Sequence, residues 1–536
     1  MPLSAATLAA TLETTRGETR RLRAFLDDLD GWDGQDCDTG TNAHLTLAAM
    51  DDALRGLDAT QTFPQALEVA VEAGVRSGVG HVGVLLTTVL AAWAQALEPG
   101  AEPTPVAVRR MLCRNPWEVR GAHMDLSVAV ESMFDEATSE LETLGDTLPG
   151  VADIVALFSS QAQYGLVGAT SERTGRVDAG AAVLAVLFAS LDATLRHDTG
   201  VLQTLAQMLA DLAASPGASS PRPQAPEPGR AFAVDVLLWG TDEDARATLA
   251  QLSSLGVRHS CVGHADLFGV GTWRFHVDTS APLAVLPRRG AVRRFQVVDA
   301  RPDDMIGEDQ LSDGVTHRGV RLLERRTLRR VERVVVVACT RAPGLVEDLA
   351  QAGALVLLDP DPLDDTVLAT ALGRSSTGVC LLAPCDAASA AWAYAHVPPA
   401  GGGEDGNRLL VADSRDDLSA LVVAQACAPM FVPQPGGTRA AGIIVPMLAE
   451  TARQALRSST VLALPTDDEV ATLEDVVAQM RATSSRRHRV LVGAGDGPTL
   501  VAVLRQMIPQ HSAGRGGDPE VIDGGQAGPS LLQGLR

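Results

Sequence analysis

The chain contains no lysine, so all 44 of its positive side chains are arginine, and only 3% of its residues are aromatic. Abundant Ala, Arg and Gly beside little Tyr or Phe reflects a GC-rich genome rather than a structural requirement. Positive charge is short as well: 44 − 66 gives −22, with a pI near 4.9. That is the wrong sign for neutralising a nucleic-acid backbone or settling on anionic lipid. No apolar run approaches the roughly 18 residues of a membrane span, and no N-terminal stretch joins a basic region to an apolar one. The expectation is a cytoplasmic protein without a transmembrane segment. Seven scattered cysteines form no C-x-x-C pair, which argues against a disulfide framework and against a cysteine zinc site. The glycines Gly401 to Gly403 precede Glu404 and Asp405 with no Gly-Lys-Ser/Thr after them, so a P-loop is excluded.

What is present is enough apolar residue, 46%, to build large cores in a chain of 536 residues, and length alone suggests about three domains. From Leu3 to Leu212 apolar residues recur three and four apart, as in Leu45, Met50, Leu54 and Leu57, which predicts helices. Residues Ala213 to Gly229, AASPGASSPRPQAPEPG, cannot sustain a helix or strand interior and read as a linker. Short apolar runs then alternate with helical stretches, first AFAVDVLLW and GTWRFHV, later RVVVVAC, ALVLLDP, GVCLLAP, RLLVAD and RVLVGAG. Continuous apolar strands of this kind suit a parallel sheet covered on both faces. The expected organisation is multidomain, α plus α/β: a helical domain 1–212, a linker 213–229, a middle α/β domain 230–319, a C-terminal α/β domain 320–511 with a mainly parallel sheet, and a flexible tail 512–536.

One stretch carries chemistry. DGWDGQDCDTGTN, Asp30 to Asn42, crowds carboxylates into a turn between two helical patterns. Asp30, Asp36 and Asp38 repel one another unless a divalent cation compensates, and oxygen ligands alone point to Mg²⁺ or Ca²⁺. An EF-hand fails, because the third position from Asp30 is Trp32 and the twelfth from Asp36 is Leu47. Mg²⁺ fits better, since it shares its coordination between carboxylates and substrate phosphate, and the following T-G-T-N offers hydroxyls, a glycine and helix-start N–H groups to that phosphate. The bland alternative is an acidic loop capped by Thr41 or Asn42.

LDGWDGQDCDTGTN resembles the metal turn of DhaL-type dihydroxyacetone kinase domains, closest to the ATP-binding subunit of bacterial fatty acid kinase. GVRSGVGHVGVLLTTVL, from Gly74, resembles that family's second nucleotide loop, and GRVDAGAAVL, from Gly175, its third. The segments beyond the linker resemble its middle and C-terminal domains. The resemblance implies an antiparallel helical barrel in which Asp30, Asp36 and Asp38 hold two Mg²⁺ and act catalytically. Thr39, Gly40, Thr41, Asn42, Gly83, Asp178, Ala179 and Gly180 would bind ATP. It further implies γ-phosphoryl transfer to a fatty acid carboxylate presented by a DegV-like partner, and a homodimer.

Departures from the family are specific. Cys37 stands where glycine is usual, and His81 and Val82 stand where Asn and Ser are usual. RGAHMDLSV, from Arg120, matches its family segment only at Gly121. In the middle domain the family's H-V-H-T becomes His276, Val277, Asp278 and Thr279, and the cysteine expected near Ala233 is missing. His and Asp two apart are poor evidence for zinc by themselves. A polar P-N-N-K-N turn is replaced by Pro384 to Ala388, where Cys385 reads as a structural thiol. Two alternatives therefore stand beside the kinase: a degenerate nucleotide-binding scaffold or regulator, and a glycerone-type kinase.

Overall fold

The computed structural model describes residues 3–29, 37–58, 60–100, 102–145, 148–170, 176–213, 231–300, 305–307, 328–330, 332–364, 366–397, 408–433, 437–465, 470–483, 485–495, 498–508 and 519–536. The protein is multidomain, with an α region followed by mixed α/β structure. Contacts divide it into two compact units, Met1–Ser280 with Pro287–Val292 and Ala300–Arg330, and Ala281–Leu286 with Arg293–Asp299 and Val331–Arg536. The helical segment and the first strands after the linker, which sequence texture sets apart, thus share one unit.

In the first unit, α1 (Ala5–Leu29), α2 (Thr39–Leu54), α3 (Phe63–Ser77), α4 (Gly80–Ala96), α5 (Pro105–Leu112), α6 (Val128–Thr143), α7 (Val151–Gly168), α8 (Ala179–Arg196) and α9 (Gly200–Ala213) follow one another. Local chemistry marks several starts. Thr62 and Gln65 form a capping box at α3, Thr104 caps α5 ahead of Pro105, Ser127 caps α6 and Asp178 caps α8. Fifteen of the eighteen residues of α8 and fifteen of the seventeen of α4 are buried, so both are enclosed on every side. Among the described residues α8 alone is long and apolar enough to cross a membrane, but 83% of it is buried inside the protein, as expected of a core helix.

Beside these helices lie β1 (His123–Met124), β2 (Phe232–Thr241), β3 (Arg258–Ala265) and β4 (Val270–Thr279), in the order β1-β3-β4-β2, all pairs antiparallel. Helix α10 (Asp242–Leu255) carries the chain from β2 to β3, and β4 slots between them in a split β-α-β arrangement. Val262 of β3 joins the core made by the helices, so this small sheet is covered by α-structure.

The second unit holds β5 (Ala291–Asp299) from Arg293 onward; the short pair β6 (Met305–Gly307) and β7 (Leu328–Arg330) falls within the first unit's Ala300–Arg330 segment. Then come β8 (Val335–Thr340), α11 (Val346–Gln351), β9 (Leu355–Leu358), α12 (Thr366–Arg374), β10 (Val379–Ala383), α13 (Ala387–Ala395), β11 (Arg408–Val411), α14 (Asp417–Cys427) and α15 (Thr438–Arg457). Strands run in the order β5-β9-β8-β10-β11, with β9, β8, β10 and β11 mutually parallel, as their continuous apolar runs suggest.

Two expectations change here. RVLVGAG does not extend that sheet. It is β13 (Arg487–Val492) of a separate four-stranded sheet with β12 (Ser459–Ala463), β14 (Glu520–Asp523) and β15 (Leu531–Leu535), flanked by α16 (Val470–Ala482) and α17 (Pro498–Met507). An apolar run specifies a buried strand but not its partner. Nor are residues 519–536 a flexible tail: β15 lies between β12 and β13, antiparallel to both. Glycine and proline between the strands hid their apolar content, and buried Leu532 packs into the sheet core.

Candidate functional site

A cavity of about 150 Å³ opens in the first unit, where α2, α4, α6 and α8 all begin. Their first turns supply Asp38, Thr39 and Asn42, then Gly80, His81 and Val82, then Leu126, Ser127 and Val130, and finally Asp178, Ala179 and Gly180. Each helix start presents N–H groups without intrahelical partners and the positive end of its dipole. Four such starts facing one space make it favourable for anionic groups. Strand residues close the other side: Asp125 just beyond β1, Arg258 of β3, and His276 and Asp278 of β4.

The turns are held by their own side chains. The Asp38 carbonyl accepts the Asn42 N–H at 2.8 Å, and its Oδ1 accepts from Asn42 Nδ2 at 2.6 Å. Asp178 Oδ1 accepts from the Ala181 N–H at 2.7 Å, and Ser127 Oγ from the Val130 N–H at 3.2 Å. Gly80 turns the chain into α4 at φ +67°, and a Cβ there would come within 2.5 Å of Asn42 Nδ2, so only glycine suits the position. Cys37, by contrast, is a non-glycine residue at φ +52°, in the left-handed region that a glycine would occupy without strain.

The residues singled out from sequence divide into three groups. Asp38, Thr39, Asn42, Asp178, Ala179 and Gly180 line the cavity. Gly40, Thr41 and Gly83 do not. Thr41 gives its N–H and its hydroxyl to the two carboxylate oxygens of Asp27, each at 2.8 Å, and its Oγ1 accepts from Arg23 Nε at 2.9 Å. A Cβ on Gly40 would collide with the Arg23 carbonyl, and one on Gly83 with Thr46 Oγ1. These residues hold α2 against α1 and against α4. Helical geometry explains the split, since positions 39 and 42 share a face and 40 and 41 are turned away from it. Asp30 and Asp36 lie outside the described residues.

Sequence reasoning did not assemble the opposite wall. His81 Nδ1 is 2.9 Å from Ser260 Oγ and its Nε2 is 3.3 Å from Asp278 Oδ2. His276 Nδ1 donates to Asp235 Oδ1 at 3.0 Å, and its Nε2 is 3.7 Å from Asp278 Oδ1. The two imidazoles meet edge to face, with centroids 4.5 Å apart. Behind them Arg274 is fully buried. It donates to the carbonyls of Val75 and Arg76 at the end of α3, at 2.7 and 2.5 Å, and stands 3.7 Å from Asp235. Arg258 closes the row, 3.6 Å from Asp278. His81 and His276 appear in the sequence only as separate departures from a pattern, 195 positions apart. The alternation Arg274, His276, Asp278 on one strand face is the available signal, but nothing local connects it to His81.

Electrostatics distinguishes these groups. Burial, reinforced by neighbouring His276, lowers His81 to about 4, so it is neutral near pH 7. Burial would also lower His276, but Asp235 and then Asp278 outweigh it, and its imidazole is raised. Burial opposes ionisation of Asp278, yet His81, His276 and Arg258 hold it below the usual carboxylate range. As potential metal ligands, His81, His276 and Asp278 offer atoms all within 4.8 Å of one another.

Comparison with protein-family models and with curated proteins finds no match.

Proposed function

We propose that the protein is the ATP- and Mg²⁺-dependent kinase subunit of a phosphoryl-transfer system whose acceptor is a carboxylate. That acceptor is most plainly a fatty acid presented by a DegV-like partner, and the product an acyl phosphate. The observation that carries this reading is the convergence of four helix starts and the carboxylates Asp38, Asp125 and Asp178 on one cavity. Helix starts receive phosphate oxygens, and carboxylates hold the cation that phosphates require. Asp38, with Asp30 and Asp36 of the same turn, would hold Mg²⁺, and Thr39, Asn42, Ala179 and Gly180 would face the nucleotide. Bound Mg–ATP supplies the phosphoryl group and the cation that offsets its charge. The chain's own contribution is positioning and fixed dipoles, which is most of what phosphoryl transfer asks of a protein.

The acceptor class follows from the same wall. A carboxylate enters already ionised, whereas a hydroxyl must surrender a proton. The Nε2 atoms of His81 and His276 are both turned to Asp278, leaving neither imidazole poised as a base toward the cavity. This favours a carboxylate over a glycerone-type acceptor. Two observations favour a second reading, a nucleotide-binding scaffold or regulator: Cys37 is held in a left-handed conformation suited to glycine, and the His81 imidazole lines the cavity at the start of α4, where the resemblance would have an Asn face the nucleotide. The helical barrel and the dimer belong with the proposed kinase.

The test is a thermal-shift titration of the full chain. Mg–ATP should raise its melting temperature and ATP without Mg²⁺ should not, while Asp38→Ala should remove the response. A flat wild-type titration would sink the nucleotide reading. Label passing from γ-labelled ATP to a fatty acid, only when a DegV-like protein is added, separates the kinase from the scaffold.

A further inference from the structure

We propose that Arg258 reads the γ-phosphate of the nucleotide and so makes the cavity select ATP over ADP. The proposal rests on the nucleotide reading of the cavity and adds to it a specificity-determining residue.

The charge balance of the wall is the first argument. Of the described residues that line the cavity, Asp38, Asp125, Asp178 and Asp278 are carboxylates, His81 and His276 are imidazoles, and Arg258 alone is a permanent cation. Carboxylates reach phosphate only through a metal ion, whereas a guanidinium meets it directly, two N–H groups against two oxygens. The helix starts offer their N–H groups from one side, and Arg258 stands on the strand side that closes the other.

The second argument is that this guanidinium is not engaged elsewhere. It stands 3.6 Å from Asp278, too far for a hydrogen bond, and donates to no described residue. Arg274, on the neighbouring strand, is in the opposite condition: 1% exposed against 32% for Arg258, it gives its N–H groups to the carbonyls of Val75 and Arg76. Nor does Asp278 depend on Arg258. That carboxylate keeps His81 Nε2 at 3.3 Å and His276 Nε2 at 3.7 Å, so the guanidinium can turn into the cavity without leaving a buried charge alone. The base of the side chain stays fixed meanwhile, because Arg258 pairs directly with Asp278 in the register of β3 and β4.

Size is the third. The cavity holds about 150 Å³, below the roughly 300 Å³ of the smallest pockets that enclose a whole drug-sized ligand. It suits phosphate groups, with sugar and base lying toward the opening. A chain of phosphates that enters past the helix starts brings its last member to the strand wall, and ADP, one phosphate shorter, would leave Arg258 unmet. This bears on turnover. Helix starts and a cation hold two phosphates nearly as well as three, so without a group reserved for the third the product would keep the site.

The experiment titrates the full chain, by calorimetry and in Mg²⁺, with ADP and with a non-hydrolysable ATP analogue, and takes the melting temperature without nucleotide as the control for folding. Wild type should prefer the ATP analogue at least about 10-fold, and Arg258→Gln should lose roughly 10–100-fold in affinity for it, as hydrogen bonds to a charged group are lost, while its ADP affinity changes less than about threefold. Arg258→Lys, which keeps the charge without the fork, should fall between the two. Nucleotide-free melting temperatures should agree closely among the three proteins, since a 3.6 Å ion pair of a partly exposed arginine contributes little. Wild-type preference retained in folded Arg258→Gln overturns the proposal, and so does an equal loss of both nucleotides, which is what a merely structural arginine would give. The nucleotide reading fails differently, through a wild type that binds neither nucleotide, and that result overturns both.

Discussion

Strand β10 is apolar at every position and fully buried, while β4, also covered on its inner face, sets Arg274, His276 and Asp278 at alternate positions there. Both are central strands, each paired on two sides. The difference lies in what each sheet must do. Where helices need only a surface to pack on, as around β8 and β10, aliphatic residues on both faces suffice and are the stable choice. Where the sheet is also the wall of a cavity, charge is kept in the interior, and every member of the row must then be satisfied by its neighbours.

That contrast can be broken from either side. Arg274→Ala strands two helix-end carbonyls and takes the guanidinium away from Asp235, leaving that carboxylate His276 as its charged neighbour, and should cost about 3–5 kcal/mol, the range for one partner removed from a buried pair. Leu382→Ala in β10 leaves a cavity instead and should cost about 2–5 kcal/mol. Denaturant unfolding measures both. The discriminating variant is the double change Arg274→Met with Asp235→Leu. It should recover most of the Arg274→Ala loss, as apolar replacements of buried ion pairs commonly do. A double variant as unstable as Arg274→Ala alone would show that the cost lies in the helix-end carbonyls or in the His276 Nδ1–H left without Asp235, not in an unbalanced carboxylate.

The helical layer supplies an intermediate case, a half-buried histidine beside like charge. His44 of α2 is lowered to about 4, first by burial and then by Arg16 and Arg23. The folded value lies below the ordinary 6.5, so the fold favours the neutral ring. Its contribution is fully present above about pH 6.5 and is lost as pH falls toward 4. Allowing for solvent screening of a partly exposed ring, His44→Gln should remove roughly 1–2 kcal/mol of acid sensitivity in that window. Melting temperatures measured from pH 7 to 4 would show a shallower decline, and parallel curves for variant and wild type would count against it.

The smallest effect is expected at Cys37, one residue before the cavity-lining Asp38. Cys37→Gly relieves a left-handed backbone but loosens the unfolded chain, so the net gain should be at most about 1 kcal/mol. Mg–ATP binding, on the kinase reading, should tighten with it. A loss of stability would mean that the Cys37 side chain does more than fill space.

How much of this could be read in one sequence depends on range. Helix α2 begins at Asp38, a few residues before the Thr41 or Asn42 that the sequence offers as its cap, and α8 begins at Asp178; both starts reach the cavity. Gly40, Thr41 and Gly83 carry the right residue types but the wrong helical phase, and a motif read as a string does not show phase. The order of strands around β8 follows from apolar runs, but the detachment of β13 into another sheet depends on residues 519–535, whose glycines mask them. Least legible is the wall at His81, because its four polar neighbours Asp235, Ser260, His276 and Asp278 come from three strands far along the chain.

The place of β15 has a consequence in time. Strands β12 and β13 bond to β15 and not to each other; β13 can pair first with β14, but β12 has no strand of its sheet to join until β15 is made. Its apolar faces must wait, exposed or chaperoned, until residue 535 has been added. The middle of that sheet is the last part of it to be made.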